Sequence, residues 1–139
     1  MIVAYIDGGS RGNPGPAGYG VRIEDERGAL VDELRGFIGI STNNTAEYHG
    51  LIAALRYAGE RGHRAVRIRS DSELVVKQMR GEYRVKHPGL RILHHRAHEL
   101  LQRLDQVVFE HVPRERNAGA DRLVNTAIDE ATRATSEPG

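Results

Sequence analysis

The chain has 139 residues, 39% of them hydrophobic, a size that suits one domain with one core and is too small for two ordinary domains. Its 20 basic and 19 acidic residues leave a net charge of +1, so overall charge does not indicate a nucleic-acid partner, and the lack of cysteine excludes disulfides and thiolate metal sites. Because no segment reaches the roughly 18 apolar residues of a membrane span and the start lacks a basic leader, we expect a cytoplasmic protein with no membrane partner.

The hydrophobic pattern predicts a three-stranded antiparallel meander in the first third of the chain. Apolar and β-branched residues favour a strand over 2–7, and alternating residues favour strands over 18–26 and 29–39. The first strand is expected to end at Asp7, where "GGSRGNPGPAG" follows as a glycine-rich loop.

The remainder of the chain predicts alternating helices and strands. Helices are expected over 45–59, 72–79, 89–104 and 118–132, and strands over 65–71 and 106–112. These elements indicate an α/β fold in which all five strands share one mixed sheet with helices packed on it. We expect a single domain over 1–133 and a disordered tail over 134–139.

Four carboxylates fall at the ends of these predicted elements. Asp7 and Asp71 end strands, whereas Glu47 and Asp121 lie in the first turns of helices. Ligands of open α/β sheets gather outside the carboxyl ends of strands, so Asp7 and Asp71 become neighbours if their strands are adjacent and parallel. The two helix starts then only need to face the same edge.

Each acid alone also has a purely structural interpretation. Glu47 follows Asn44 in a spacing close to that of a capping box. Asp71 is placed to cap a helix that starts at Ser72, and Asp121 to complement a helix dipole. Together, four converging acids repel one another unless protons or a cation neutralise them, and without cysteine an oxygen-preferring ion such as Mg²⁺ or Mn²⁺ is the natural partner.

Four sequence blocks carry a resemblance that spans nearly the whole chain. They are "DGGSRGNPGPAGYG", "STNNTAEYHGLIAAL", "SDSELVVKQMRGEYRVKHPGL" and "HVPRERNAGADRLVNTA". In this order and spacing the chain resembles the type 1 ribonuclease H family, and four ordered blocks are far more specific than one glycine-rich loop. The resemblance implies the ribonuclease H fold, a five-stranded mixed sheet with strands 1 to 3 antiparallel, strands 1, 4 and 5 parallel, and helices on both faces.

The resemblance also implies a chemistry and the residues that perform it. It assigns the family's catalytic and metal-binding acids to Asp7, Glu47, Asp71 and Asp121, which would hold two divalent ions, Mg²⁺ or Mn²⁺, per active site. The first is expected to bridge both ions, the second and third to lie on the leaving-group side, and the last on the nucleophile side. We therefore expect a metal-dependent endoribonuclease that cuts the RNA strand of RNA/DNA hybrids and leaves 5′-phosphate and 3′-hydroxyl ends.

Choosing RNA requires contact with the 2′-hydroxyl, which needs close backbone approach and short polar side chains. Glycines permit that approach and asparagines supply the polar groups, although both residue types also form turns. By the resemblance, these positions correspond to RNA-strand contacts, and Thr42 to a contact with a DNA-strand phosphate. The expected nucleic-acid-binding residues are Gly8, Gly9, Ser10, Arg11, Gly12, Asn13, Thr42, Asn43 and Asn44.

The loop before Asp121 departs from the best-known bacterial members. Those enzymes carry a G-H-x-G loop whose histidine helps product release or proton transfer, but this chain has "VPRERNAGAD" there. His111 falls inside a predicted strand and aligns with a family aromatic, so we do not expect it to replace that histidine. Glu115 and Arg116, on the loop itself, are the better candidates.

A second departure is the missing basic protrusion, which the short segment "RGEYRVKHPG" replaces. Arg80, Arg84, Lys86 and His87 are candidates for a smaller phosphate-binding patch beside Tyr83, although a merely solvated loop fits the sequence as well. The shortened form resembles the archaeal-type and actinobacterial branch of the family. Some members of that branch carry a fused phosphatase domain, which these 139 residues do not include.

A histidine trio on the third predicted helix has the spacing of a metal site. His94 and His98 share one helical face, but Glu99 is the only acid nearby. We interpret His94, His95 and His98 as surface or half-buried residues.

Several functions stay open alongside the hybrid-cleaving enzyme. A broader nuclease that also cuts RNA duplexes fits the archaeal-type branch. A hybrid-binding module without turnover is disfavoured because all four acids are present, and a structural cation-binding domain would not need the ribose-reading asparagines. We expect a monomer.

Overall fold

Strand β1 (Ile2–Ser10) lies at the centre of a five-stranded sheet in the computed structural model, which describes residues 1–136. β2 (Gly15–Glu24) pairs antiparallel with one side of β1, and β3 (Leu30–Ser41) pairs antiparallel with β2 at the sheet edge. β4 (Ala65–Ser70) pairs parallel with the other side of β1, and β5 (Gln106–His111) pairs parallel with β4. The order β3-β2-β1-β4-β5 confirms the predicted mixed sheet.

Four α-helices connect and cover these strands. They are α1 (Asn43–Glu60), α2 (Glu73–Met79), α3 (Pro88–Leu101) and α4 (Ala118–Ser136). A 3₁₀ turn over Arg114–Asn117, which the sequence pattern did not predict, joins β5 to α4. Within residues 1–136, none of the helices combines the length and apolarity needed to cross a bilayer.

The last helix extends further than the pattern predicted. Its backbone is helical through Ser136, so it continues four residues beyond the predicted end at residue 132 and includes part of the predicted tail. Residues 137–139 of that tail lie outside the described residues.

The predicted end of β1 at Asp7 was wrong. The strand continues through Gly8, Gly9 and Ser10, which pair with the start of β2. Although glycines have no side chains, backbone N–H and C=O groups in paired strands are satisfied by hydrogen bonds between the strands. The glycines here are therefore part of the sheet. The turn between them is confined to residues 11–14.

Helices cover both faces of the sheet, as predicted. Neighbouring strand residues point to opposite faces. A Cβ on Gly8 would meet the α1 backbone at Ala46, whereas a Cβ on Gly9 would approach Val124 of α4. The main hydrophobic cluster lies on the α1 side, with Ile6, Val21, Leu51 and Ile68 among its members. The small side chains of β2 on the other face let α4 pack close to the sheet.

Close packing of α4 makes Gly20 a sensitive position. A Cβ there would overlap the carbonyl oxygen of Ala120 and lie 2.6 Å from the Cβ of Leu123. We expect Gly20→Ala to lower the free energy of unfolding by about 1–3 kcal/mol. Gly59 is the control, because a Cβ added at this helical glycine meets nothing within 4 Å, so Gly59→Ala should add about 0.5–1 kcal/mol. Urea unfolding measures both, and a neutral Gly20→Ala would contradict the packing.

Candidate active site

Asp7 and Asp71 meet where the parallel strands β1 and β4 diverge. Their ladder ends at the pair formed by Ile6 and Ser70, so each aspartate is the next residue along its strand or just beyond it. Asp7 is buried and Asp71 is half-buried. The expectation that these two acids are neighbours is confirmed.

Glu47 reaches the same place from α1, although not from the predicted position. The helix begins earlier than expected, with Thr42 as its N-cap accepting a hydrogen bond from the backbone N–H of Thr45 at 3.2 Å. Glu47 therefore lies beyond the first turn, and the capping box with Asn44 was wrong. Its burial, at 6% exposure, excludes a role as a solvated helix-start charge.

Asp71 is likewise no helix cap. The N-cap of α2 is Ser72, whose hydroxyl accepts from the backbone N–H of Val75 at 3.3 Å. The structural interpretations of Glu47 and Asp71 as caps both fail, which leaves their carboxylates available to a ligand.

Three carboxylates form a compact cluster. One oxygen each from Asp7, Glu47 and Asp71 lies within 4.8 Å of the others. Asp121, in the first turn of α4, lines the same cavity of about 350 Å³ without joining that group of three. All four predicted acids thus border one cavity, with the three from β1, α1 and the end of β4 in its depth.

The cluster strongly disfavours negative charge. Burial, reinforced by the charges of Asp71 and Asp121, raises the pKa of Asp7 to about 7, although a hydrogen bond with Glu47 acts in the opposite direction. Burial and the neighbouring Asp7 raise the pKa of Glu47 well above its ordinary value. Without a cation, the two carboxyls therefore keep their protons to a higher pH than isolated carboxyls do.

The donor set fits a divalent, oxygen-preferring ion. Every ligand atom is a carboxylate oxygen, and Glu47 Oε2 is buried with no hydrogen-bond partner among residues 1–136. A buried carboxylate oxygen without a partner is costly, and a cation is the partner that would satisfy it. Asp7, Glu47 and Asp71 are therefore the residues that could hold a metal, with Asp121 beside them.

Glycines and asparagines form the walls of this cavity. Gly8, Gly9, Asn43 and Asn44 line it. Asn43 Oδ1 accepts from the backbone N–H of Ser10 at 2.8 Å, and Asn13 Oδ1 accepts from the backbone N–H of Asn43 at 3.0 Å. These bonds tie the β1–β2 turn to the start of α1 and use the carbonyl side of each amide.

Three other predicted nucleic-acid contacts serve internal structure. Arg11 forms an ion pair with Asp129 of α4, Nη2 to Oδ1 at 2.7 Å. Gly12 occupies the turn with a φ of 78°, a conformation that favours glycine. Thr42 caps α1 through its hydroxyl, as described above.

The loop after β5 places Arg114, which was not predicted, in the cavity wall. Its Nε lies 3.9 Å from Asp71 Oδ2, and its side chain is 90% exposed. Glu115 and Arg116, the predicted candidates, are exposed and do not line the cavity. Charged residues occupy three successive positions here, and no periodicity in the sequence indicates which of them turns inward.

Asn117 is a second residue of this loop that sequence reasoning missed. It is fully buried, and its Nδ2 donates to the carbonyl of Ile6 at 2.8 Å. The bond links the start of α4 to the backbone residue that precedes Asp7. Its sequence signal is an asparagine one helical turn before Asp121.

His111 belongs to β5, as predicted, but it is the last residue of the strand, one residue short of the predicted end at 112. Its Nε2 lies 3.3 Å from the backbone oxygen of Asp71, and the residue does not line the acidic cavity. This contact fits a structural role at the strand end.

The predicted phosphate-binding patch is only partly available to a ligand. The guanidinium of Arg80 donates to the carbonyl oxygen of Phe109, and His87 caps α3 by accepting from the backbone N–H of Gly89 at 3.1 Å. Tyr83 receives a hydrogen bond from Lys77 at 3.3 Å. Arg84 and Lys86 remain exposed cations on the short segment.

The chain is similar in sequence to a known family and to several known proteins. A family model described as reverse transcriptase-like matches residues 5–127. A bifunctional protein of Mycobacterium tuberculosis is 45% identical over 136 residues, 97% of this chain and 37% of that protein. A ribonuclease HI of Halobacterium salinarum is 47% identical over 130 residues, 94% of this chain and 65% of that protein. The chain thus spans less than two thirds of either relative.

Solved structures match over almost the full length. The N-terminal RNase H domain of the M. tuberculosis protein, solved as a fusion with maltose-binding protein, gives a TM-score of 0.91 at 45% identity and covers 97% of this chain and 98% of that one. LC11-RNase H1 from compost, in complex with an RNA/DNA hybrid, gives 0.91 at 47% identity and covers 95% of this chain and 99% of that one.

Proposed function

The chain belongs to the type 1 ribonuclease H family, and from that premise we propose that it is a metal-dependent endoribonuclease that hydrolyses the RNA strand of RNA/DNA hybrids. The buried cluster of Asp7, Glu47 and Asp71, whose ligand oxygens lie within 4.8 Å of one another, is the observation that carries this proposal. A hybrid-binding module would have no need to bury three mutually repelling acids.

The four acids would hold two divalent ions, Mg²⁺ or Mn²⁺. When bound, such ions lower the pKa of an attacking water and stabilise the charge that develops on a scissile phosphate, giving 5′-phosphate and 3′-hydroxyl ends. Asp7 is the central ligand of the proposed metal site because it contacts Glu47 and because the charges of both Asp71 and Asp121 raise its pKa. Glu47, anchored in α1, supplies the oxygen that lacks another partner.

The cavity walls suit an RNA strand. Gly8 and Gly9 present backbone without side chains, which permits close approach of a sugar-phosphate chain. Asn43 in the wall and Asn13 in the adjoining turn use their carbonyl oxygens internally, so their amide nitrogens are the groups left to donate to a nucleotide. The exposed Asn44 supplies both a donor and an acceptor. Together they provide the short polar groups that contact with a 2′-hydroxyl requires.

Arg114 is expected to support cleavage from the cavity wall. Because its guanidinium lies beside Asp71, it can bind an anionic substrate group that approaches the acids. We expect Arg114→Ala to lower kcat/KM for hybrid cleavage by about tenfold. Arg116→Ala, two residues along the same 3₁₀ turn but outside the cavity, should stay close to wild type. Equal losses in both variants would indicate general electrostatic attraction instead.

A substrate panel tests the proposed function. Labelled RNA/DNA, RNA/RNA and DNA/DNA duplexes of one sequence are incubated with the protein in Mg²⁺ and in Mn²⁺. We expect cleavage of the RNA strand of the hybrid, and cleavage of the RNA duplex would extend the substrate range as the archaeal-type branch suggests. Binding of the hybrid without cleavage in either ion would overturn the enzyme proposal.

We also propose that the protein is cytoplasmic and monomeric. The absence of cysteine is compatible with a reducing, cytoplasmic environment. The acids and cavity walls all come from one chain, so a monomer is sufficient for the proposed site. Sedimentation at enzymatic concentrations would test the monomer.

A further inference from the structure

Two imidazoles on α3 face each other at close range, away from the acidic cavity. His94 and His98 lie one helical turn apart, with their Nε2 atoms 3.2 Å from each other and their ring centroids 4.5 Å apart. Both side chains are half-buried. Residues four apart on a helix are neighbours, but such a close approach of two ring nitrogens requires that both rings be turned toward one point.

Contacts from two other helices fix this arrangement. His94 Nε2 lies 3.2 Å from the backbone oxygen of Gln78 in α2, and its ring meets Tyr48 of α1 edge-on at 6.3 Å between centroids. The Gln78 side chain is itself held, because its Oε1 accepts from the buried Tyr48 hydroxyl at 2.6 Å. His94 is therefore oriented before any ligand arrives.

His94 Nε2 thus lies beside two other atoms with lone pairs, His98 Nε2 and the Gln78 carbonyl oxygen, which also accepts from the backbone N–H of Gly81 at 3.2 Å. A single N–H on His94 Nε2 can point well at Gln78 or at His98, but not at both. Two nitrogens bound at about 2.0–2.1 Å to one tetrahedral ion lie about 3.3 Å apart. Both separations at His94 Nε2, 3.2 Å to each neighbour, are close to that spacing.

We propose that His94, His98 and the backbone carbonyl of Gln78 form a binding site for Zn²⁺ or a similar transition-metal ion, which fastens the end of α2 to α3. Imidazole nitrogen suits such ions, whereas the hard Mg²⁺ prefers the carboxylate cluster. The chain would therefore sort two classes of metal between two separate sites. The interpretation of these histidines as surface or half-buried residues is confirmed, since His94 and His98 are half-buried and His95 is exposed, and the proposal adds a ligand role for His94 and His98.

The histidines line an open cavity of about 680 Å³. Three arginines and one glutamate are the charged groups in its wall: Arg80 and Arg91 donate to the backbone oxygens of Phe109 and Val85, Arg84 is exposed to solvent, and Glu82 pairs with Arg80 at 3.8 Å. A cation at this point would therefore depend on the neutral imidazoles and on solvent screening of the arginines. Burial and the neighbouring histidines lower the pKa of His98, which favours the neutral ring that ligates metals.

Titration of Zn²⁺ into the metal-free full chain tests the proposal, with excess Mg²⁺ present to occupy the acidic cluster. We expect one Zn²⁺ per chain, a rise of a few °C in the melting temperature, and selective changes in the imidazole nitrogen NMR signals of His94 and His98. His98→Gln should weaken Zn²⁺ binding at least about tenfold. The matched control is His95→Gln on the same helix, since His95 is exposed and pairs with Glu99 at 3.2 Å; its affinity should stay within about twofold of wild type.

Loss of the fold in a variant can be distinguished from loss of the Zn²⁺ site. Circular dichroism and melting of the metal-free variants establish that each one folds, and the NMR signals of the unmutated chain do not depend on any variant. Zn²⁺ that binds without changing the His94 and His98 signals overturns the proposal. So does equal loss in His95→Gln and His98→Gln, or a complete absence of Zn²⁺ binding in excess Mg²⁺. None of these results depends on whether the protein cleaves a hybrid.

Discussion

Asp7→Asn is expected to lower the rate of RNA/DNA hybrid cleavage by at least about 10³-fold while leaving the fold intact. Asp7 is buried, its carboxylate clusters with those of Glu47 and Asp71 within 4.8 Å, and its pKa responds to Glu47, Asp71 and Asp121. An amide of nearly the same shape removes the negative charge that would hold the cations, and each 1.36 kcal/mol lost from transition-state stabilisation slows the reaction tenfold.

Single-turnover cleavage of a labelled hybrid in Mg²⁺ measures this effect, and fluorescence anisotropy measures hybrid binding in parallel. Binding should change far less than cleavage, because the walls of the cavity are unaltered. Asp105→Asn is the matched control, since that aspartate is exposed and pairs with Arg64 at 3.8 Å outside the cavity. Wild-type cleavage by Asp7→Asn would remove Asp7 from the proposed site.

Asp7→Asn is also expected to change stability. Whereas cleavage is lost, the free energy of unfolding should rise relative to wild type as the pH increases. In the absence of metal, the pKa of Asp7 is about 7 in the folded chain against an ordinary value of 3.8. Below about pH 4 the carboxyl is protonated in both states, so its full contribution to stability is present. As pH rises toward about 7, the unfolded chain releases the proton while the folded chain keeps it, so the free energy of unfolding falls. Glu47 shifts in the same direction.

Urea unfolding in a chelator at about pH 4 and about pH 8 measures the consequence. Relative to wild type, Asp7→Asn should gain about 2–4 kcal/mol on going from the acidic to the alkaline condition, because its amide cannot ionise. Mg²⁺ should reduce the advantage by stabilising the wild-type carboxylates. A stability difference between Asp7→Asn and wild type that does not change with pH would contradict the proposed electrostatics, and Asp105→Asn again serves as the control.

Much of the fold was predictable because its elements are local. Alternation and helical periodicity predicted all five strands and all four α-helices with boundaries within a few residues. The parallel pairing of β1 and β4, which brings Asp7 beside Asp71, was expected from the family resemblance and only conditional on the pattern itself. The errors occurred where side-chain pattern carries no information. Gly8 and Gly9 read as loop residues because strand membership at a glycine is set by the backbone of the partner strand.

The sequence by itself determined the chemistry available to this protein: four acids at element ends, no thiol, and a glycine- and asparagine-rich surround. Only the tertiary structure decided which groups converge. It buried Glu47 beyond the first turn of α1 and set Arg114, rather than its neighbours Glu115 and Arg116, against Asp71. It also turned His94 toward the Gln78 carbonyl. Such contacts join residues far apart in the chain, so their distances depend on how helices pack on the sheet, which no local periodicity encodes.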